Sequence, residues 1–397
     1  MPHVIVALIA MLAVQVVISA AGLVGPVLAP IAARDLGLDP ALVGFFVSMI
    51  YGVAAVAGLA SGGLISRWGA MRVSQGCLAF AAAASGLIAI GRPTSVIAGA
   101  LLMGLAYGPA TPASSHILSR VTPREWMNLV FSAKQTGVPL GNALAGAAIP
   151  SLAVAFGWRG ALISVALVCI ALAAAVQPLR GRFDDERNTN LPLLGWAQFV
   201  GPLGFVWRDR ALRRLALSSF AYSGMQVTLS AFLVTYLNQA LDLSVVAAGL
   251  MLSAAQAAGV AGRVLWGWVA DRFDNPRRVL GGLGLGMTVF AILTGLFTPE
   301  WPHMAILAIC ICFGATAVAW NGVFLAQVAR LSPPGRAGEV TGGTSFMTFG
   351  GVMATPAIFS LILAITGSYT VGFVAAAVLS CIGALSYFVD NRRPAAA

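Results

Sequence analysis

The sequence predicts an all-α membrane protein with 12 transmembrane helices arranged as two six-helix bundles. Hydrophobic residues make up 59% of the 397 residues and charged residues only 9%, and the mean hydropathy is +0.90. A soluble domain of this length does not have such a composition. Twelve segments also reach the roughly 20 apolar residues that a helix needs to cross a bilayer core.

Taken in order, the predicted spans are punctuated by glycine and proline, and one long polar connection separates six from six. We therefore predict an N-terminal six-helix bundle at 1–178, a cytoplasmic linker at 179–211 and a C-terminal six-helix bundle at 212–397. The predicted spans lie at about 4–32, 41–65, 73–91, 94–118, 127–155, 160–178, 212–238, 244–270, 279–297, 303–328, 338–366 and 370–389.

The arginines between the spans predict the orientation. One side of the predicted membrane carries most of them, whereas the other carries only Arg34, Arg92 and Arg159. Because basic loops stay in the cytoplasm, we expect a multi-pass protein of a bacterial-type inner membrane with both termini cytoplasmic. The net charge of +10 therefore serves membrane orientation, and we expect no nucleic-acid partner.

The two halves of the chain resemble each other. Gln15 and Ser19 recur 211 positions later as Gln226 and Ser230, with the same spacing of four residues. The segments 62–69 and 267–274 correspond in the same way. Similar offsets in separate segments indicate a parallel internal duplication, which is common in membrane transporters.

The loop after span 8 resembles the signature loop of the major facilitator superfamily. Residues 262–272 read Gly-Arg-Val-Leu-Trp-Gly-Trp-Val-Ala-Asp-Arg, and two further arginines follow at 277 and 278. The resemblance implies two bundles that rock about a central site and open it alternately to each face. In the first-half copy Ser66 stands where the family has an acid, so the latch between the halves is expected to rest mainly on Asp271 and the end of span 5. The gating residues that the resemblance suggests are Gly62, Ser66, Arg67, Gly69, Gly267, Asp271, Arg272, Glu125 and Glu339.

Two of these gating residues have a simpler alternative. Glu125 and Glu339 each lie near the start of a long predicted helix. They could pair with Arg272 and Arg67 in a cytoplasmic gate, or they could only stabilise helix N-termini, where a negative charge is favourable.

The intramembrane charges are positive. All 13 carboxylates lie in loops or close to predicted helix ends, whereas Lys134, the only lysine, lies within span 5. Arg263 lies in span 8, eight residues or about 12 Å before Asp271. The family fold implies that spans 5 and 8 face one cavity. Two buried cations there favour an anionic substrate, and the planar guanidinium of arginine matches a carboxylate.

Local resemblances agree with an anionic substrate. An arginine four residues before a glycine in span 8 resembles the carboxylate-binding arginine of monocarboxylate and oxalate transporters. The run Lys-Gln-Thr-Gly-Val-Pro-Leu-Gly from residue 134 is similar to one in cyanate- and nitroimidazole-type permeases. Structural roles remain as alternatives: Lys134 could reach the interface or bond to carbonyls freed at Pro139, and Arg263 could bridge the bundles.

Polar residues at helical spacing are predicted to complete the site, although interhelical hydrogen bonding is the alternative for each. Tyr107 and Tyr222 have amphipathic rings that suit an organic anion. His116 is the candidate proton carrier because its ordinary pKa lies near neutrality, with a structural role as the alternative. The remaining predicted contacts are Gln15, Gln226, Gln256, Asn142 and Asn321.

The sequence thus predicts a secondary transporter of a small organic anion, a mono- or dicarboxylate, with a proton as a candidate co-transported ion. An exporter of neutral or weakly acidic drugs is the alternative within transport, and a transporter-like sensor is the alternative outside it. We expect no enzyme, because the chain carries no nucleophile elbow, phosphate-binding loop or metal-ligand cluster. We also expect no cofactor and no metal. The expected partners are the substrate and the lipid bilayer, and the expected state is a monomer.

Overall fold

The structure is a computed structural model, and it describes residues 2–37, 43–185, 187–188, 196–243 and 245–388. Parts of the predicted linker, at 186 and 189–195, and the end of the chain, at 389–397, lie outside the described residues. The described part is helical and contains no strand.

Fifteen α-helices account for the described chain. Ten apolar stretches are long enough to cross a membrane, and the 60-residue stretch Arg124–Phe183 among them contains predicted spans 5 and 6. The shorter apolar helix Tyr369–Leu385 corresponds to predicted span 12. The helices are α1 (Pro2–Asp35), α2 (Val43–Trp68), α3 (Ala70–Ile90), α4 (Pro93–Val121), α5 (Met127–Gln135), α6 (Gly137–Ala175), α7 (Arg180–Phe183), α8 (Trp196–Arg208), α9 (Arg210–Leu241), α10 (Val245–Arg272), α11 (Pro276–Gly295), α12 (His303–Ala317), α13 (Asn321–Leu331), α14 (Ala337–Thr366) and α15 (Tyr369–Leu385).

The helices are interrupted at three places inside long apolar stretches, where the hydropathy pattern alone shows no break. Thr136 separates α5 from α6, and Pro139 in the first turn of α6 has no N–H to donate to the carbonyl of Gln135. Gly157 has a φ of 71° and turns the chain inside α6, between predicted spans 5 and 6. Such a left-handed backbone favours glycine because it has no Cβ. A turn at 318–320 separates α12 from α13.

Side chains at the helix ends satisfy backbone groups that have no partner within the helix. Asp209 accepts hydrogen bonds from the first backbone amides of α9, and Asn275 does so for α11. Ser368 begins α15 in the same way. At the other end of α3, Gly91 has a φ of 75° and closes the helix in the left-handed conformation.

The chain forms two compact units. The first consists of Met1–Pro123, Ala133–Arg208 and Val328–Phe349, and in it α3 packs against α4, α1 against α6 and α2 against α4. The second consists of Arg124–Ser132, Asp209–Gln327 and Gly350–Ala397, and in it α11 packs against α15 and α10 against α12. The predicted bundle boundaries at 178 and 212 stay a prediction.

Small residues allow the helices of each unit to approach closely. In the second unit a Cβ added at Gly314 of α12 would overlap the backbone carbonyl of Ala255 in α10. Large apolar side chains point outward instead: Val154 is 89% exposed and Ile365 is 75% exposed. An exposed apolar surface on both units is what lipid contact requires.

Candidate functional site

Lys134 lies at the C-terminal end of α5 and is buried, with 1% of its surface exposed. Its ammonium Nζ donates to Gln15 Oε1 at 2.7 Å and to Gln135 Oε1 at 3.0 Å. The break at Thr136 places the side chain beside α1, because Gly137 lets α6 approach Gln15 closely. The amide oxygens of Gln15 and Gln135 therefore help to orient the buried cation.

Gln15 connects three helices of the first unit. Its Nε2 donates to Ser19 Oγ at 3.1 Å within α1, and its Oε1 accepts from Lys134 Nζ. Thr111 Oγ1 of α4 lies 3.5 Å from the same oxygen. Lys134, Gln15 and Tyr107, which lies one turn before Thr111, thus belong to neighbouring parts of one unit. Asn142, by contrast, is exposed on α6.

Arg263 of α10 is the buried cation of the second unit, with 2% of its surface exposed. Its Nε donates to the carbonyl of Val318 at 2.9 Å. Val318 lies in the turn between α12 and α13, where the helical hydrogen-bonding pattern ends. α10 packs closely against this turn, since a Cβ added at Gly259 would meet Val318 and one added at Gly262 would meet Ala319.

Gln226 of α9 lies at the centre of a cluster that contains the other polar residues predicted for the second unit. Its Oε1 accepts from Trp320 Nε1 at 3.2 Å and from Asn321 Nδ2 at 3.0 Å. Gln256 Nε2 donates to Ser230 Oγ at 2.8 Å, and Ser230 Oγ donates to the backbone carbonyl of Gln226 at 3.0 Å. The repeated Gln–Ser pair thus forms part of a polar cluster in each unit.

Tyr222 is packed inside the second unit. It is 1% exposed, its hydroxyl donates to the carbonyl of Leu280 at 3.0 Å, and its ring meets Trp320 edge-on at a centroid distance of 5.7 Å. Gly284 leaves room for the hydroxyl, since a Cβ there would overlap it. The polar group of Tyr222 is therefore engaged with α11.

The signature loop of the second unit is anchored by Asp271. Its carboxylate accepts from the backbone N–H of Asn128 at 3.1 Å, from Asn128 Nδ2 at 2.7 Å and from the backbone N–H of Leu129 at 2.7 Å. Asp271 thus caps the N-terminus of α5. Gly267 lies against Ser132, where a Cβ would crowd the serine hydroxyl. Arg272 and Glu125 are exposed.

In the first unit an acid from outside the loop takes a capping position. Asp184, just after α7, accepts from the backbone N–H groups of Met71 at 2.8 Å and Arg72 at 3.0 Å, at the start of α3. Gly69 has a φ of 91°, and a Cβ there would overlap the Asp184 carboxylate. Burial raises the pKa of Asp184, although these hydrogen bonds and nearby arginines oppose the shift. Sequence reasoning missed Asp184, and the missing acid at Ser66 was the signal that could have prompted a search for it.

Among the other residues predicted for the gate of the first unit, Gly62 lies against α14. A Cβ at Gly62 would overlap the side chain of Glu339. Glu339 forms a bidentate ion pair with Arg336, in which Nε donates to Oε2 at 2.8 Å and Nη2 donates to Oε1 at 2.9 Å. The backbone carbonyl of Ser66 accepts from Asn188 N–H at 2.8 Å. Arg67 is the last basic residue of α2.

His116 lines a polar cavity of about 290 Å³ in the first unit. The cavity wall also contains Arg120, Asp184, Arg187 and Arg336. The imidazole is buried, with 8% of the residue exposed. A larger cavity, of about 630 Å³, lies along α10 and α11 and contains none of the predicted site residues.

Comparisons with known proteins agree with this architecture. The family model described as "Major Facilitator Superfamily" matches residues 5–356. The "Probable nitrate/nitrite transporter NarK2" of Mycobacterium tuberculosis is 26% identical over 373 residues, 90% of each chain. The "4-hydroxybenzoate transporter PcaK" of Acinetobacter baylyi is 23% identical over 327 residues, which cover 74% of this chain and 70% of the relative.

A solved structure shows the same fold. The fucose:proton symporter FucP of E. coli superposes with a TM-score of 0.76 at 15% sequence identity, over 98% of this chain and 100% of the symporter chain. The predicted fold class and the predicted family are therefore confirmed. The chain is a multi-pass membrane protein that belongs to the Major Facilitator Superfamily, whose members are transporters and not enzymes.

Proposed function

We propose that the protein is a secondary active transporter of a small organic anion, a mono- or dicarboxylate, in a bacterial inner membrane. The burial of Lys134 carries this proposal. Its ammonium is removed from water and held by uncharged amide oxygens. Since charge attraction is strong where water is excluded, an anion is the most favourable ligand for this group.

Arg263 supports the same class of substrate. Its Nε is bonded to a backbone carbonyl, and a guanidinium has five N–H donors in a planar fork. A carboxylate can accept two parallel hydrogen bonds from that fork. We propose that Lys134 and Arg263 serve the same substrate, with Gln15, Gln226 and Asn321 as polar contacts.

The names of two relatives support an anionic substrate. One relative is named for nitrate and nitrite and the other for 4-hydroxybenzoate, all of which are anions near neutral pH. The bonds that Tyr222 makes within the second unit argue against a substrate contact, so we leave it out of the proposed set. Asn142 and Gln256 stay predictions from the sequence.

We propose that transport follows alternating access, with the two signature loops as gating elements. The capping bonds of Asp271 support its role, because they attach the loop to the start of α5. We propose Glu339 as a second gating group and His116 as the candidate for proton coupling. A monomer with both termini in the cytoplasm completes the proposal.

A ligand screen followed by flux measurement tests the proposed function. The purified protein is heated with carboxylates, cyanate, nitrate or neutral drugs, and ligands that raise its melting temperature are then tested for counterflow in proteoliposomes. We expect stabilisation and counterflow with anions, and loss of both in Lys134→Ala and Arg263→Ala. Anion stabilisation that persists in both variants would contradict the site, whereas stabilisation by neutral compounds alone would favour the drug exporter.

A further inference from the structure

Three aromatic rings of the first unit form a cluster on three different helices. Tyr51 of α2 and Tyr107 of α4 meet edge-to-face with ring centroids 5.7 Å apart. Phe349 of α14 lies 5.9 Å from Tyr51 and 6.3 Å from Tyr107, with both ring pairs tilted. Phe349 is 9% exposed, and the two tyrosines are half-buried. Ala54, which is fully buried, packs in the same cluster.

This aromatic cluster lies close to the buried lysine. Tyr107 and Thr111 are one helical turn apart, about 6 Å along the axis of α4. Thr111 Oγ1 lies 3.5 Å from Gln15 Oε1, and this oxygen accepts from Lys134 Nζ at 2.7 Å. On α1 the Tyr107 ring also lies near Gly22, where a Cβ would be 3.7 Å from it. Gly22 lies seven residues, or about 10 Å along α1, from Gln15. The cation and the aromatic cluster therefore lie within about two helical turns of each other in one unit.

Of the anions that Lys134 could attract, one class would use both features. An inorganic anion or a short aliphatic acid would pair with the ammonium and would not reach the rings. A benzoate-sized acid would place its carboxylate at the ammonium, and its flat ring would reach the cluster. Aromatic pairs prefer the tilted and edge-to-face arrangements that these rings already adopt with one another.

We propose that the preferred substrate is an aromatic monocarboxylate, which binds with its carboxylate at Lys134 and its ring among Tyr51, Tyr107 and Phe349. The proposal rests on the proposed transport of anions and adds a substrate class to it. Tyr51 and Phe349 become specificity-determining residues, whereas Lys134 remains the group that attracts any anion.

A pair of matched ligands tests the proposal. Benzoate and cyclohexanecarboxylate have the same charge and similar size, but only benzoate has an aromatic ring. Their dissociation constants, and that of nitrate, are measured by calorimetry on the whole purified protein. Because a favourable aromatic contact contributes up to about tenfold in affinity, we expect benzoate to bind roughly tenfold more tightly than cyclohexanecarboxylate.

Variants locate the preference. Tyr51→Leu and Phe349→Leu should each reduce the benzoate preference and leave the affinity for cyclohexanecarboxylate within about twofold. Tyr51→Phe, which keeps the ring, should preserve the preference and guards against a folding defect of the leucine variant. Phe373→Leu is the matched control, since Phe373 belongs to an aromatic group of the second unit.

The outcomes separate this proposal from the proposed function. Equal affinity for the two acids in the wild type, or a benzoate preference that survives in both leucine variants, would overturn the aromatic site. If those results are accompanied by Lys134-dependent binding of nitrate and both acids, anion transport stands and only the aromatic preference fails. If none of the three anions binds, both proposals fail.

Discussion

Replacement of Lys134 by methionine tests the buried cation most directly. Methionine is unbranched and similar in length, so the change removes charge with little change in shape. A hydrogen bond to a charged group contributes about 1.5–3 kcal/mol. Lys134 is 1% exposed, so water screens its charge little, and the median of about 0–1 kcal/mol for exposed ion pairs does not apply. At about 1.4 kcal/mol per decade, anion affinity should fall by roughly 10- to 100-fold.

The stability of the ligand-free protein should change much less. Methionine leaves Gln15 and Gln135 without their bonds to Nζ, and each lost bond costs about 1–3 kcal/mol. The variant no longer inserts an ammonium into the membrane interior, which on insertion scales costs about 2.5–3.5 kcal/mol. These opposing contributions are of similar size, so we expect melting temperatures that differ by only a few degrees.

Ligand-dependent thermal shifts and counterflow in proteoliposomes provide the assay. Gln75→Met is the matched control, because Gln75 is a buried amide of the same unit that bonds to the carbonyl of Ala173 and to Gln177. This variant should be destabilised and should bind anions with unchanged affinity. A folded Lys134→Met protein that binds anions as tightly as the wild type would refute the reasoning.

Three further predictions concern the helix ends and the packing. Burial raises the pKa of Asp184 in the folded protein, so the stability contributed by its neutral form is complete below about pH 4, the ordinary aspartate range, and is lost as pH rises through the raised folded pKa. The melting temperature of the wild type should therefore fall over this pH window, and that of Asp184→Asn should fall less. Parallel curves of melting temperature against pH for the two proteins would contradict this. Asp271→Ala removes the cap of α5 and should cost about 0.5–2 kcal/mol of stability, as measured by thermal unfolding. It should also alter the transport rate, as measured by counterflow. Unchanged stability and unchanged rate would exclude a role for the cap. Gly314→Ala should destabilise the second unit by about 1–3 kcal/mol through overpacking at the carbonyl of Ala255. Gly282→Ala, which has open space around the added Cβ, should be nearly neutral. Equal unfolding temperatures of the two variants would contradict this prediction.

The sequence predicted the fold well because membrane insertion depends on local properties. A run of about 20 apolar residues specifies a span without reference to the rest of the chain, and the motif at 262–272 identified the superfamily that the family model confirms. Periodicity did not place the breaks within the spans. The interruption at 318–320 has no proline in it, and its carbonyl is bonded by Arg263 from another helix, so it depends on packing.

In the candidate site, too, some features could be predicted from the sequence and others could not. Burial of Lys134 and Arg263 could be predicted, because a charge within an apolar run has few other places to go. Their acceptors could not, since Gln15 is 119 positions from Lys134 and reaches it only after α1 packs against α6. The sequence offered equal reasons to expect Tyr107 and Tyr222 in the site, but their packing differs. Tyr107 joins an aromatic cluster with Tyr51 and Phe349, whereas the hydroxyl of Tyr222 is bonded inside the second unit.

The sequence by itself thus determined the membrane class, the order of the spans, the superfamily and the presence of cations within the spans, because each follows from residues that are neighbours along the chain. The tertiary structure alone decided that Asp184 caps α3 across more than 100 positions and that Tyr51 and Phe349 share a cluster with Tyr107. Contacts of this kind depend on how helices pack against one another, and the packing is set by side-chain shapes summed over whole helices, which no local pattern of the sequence records.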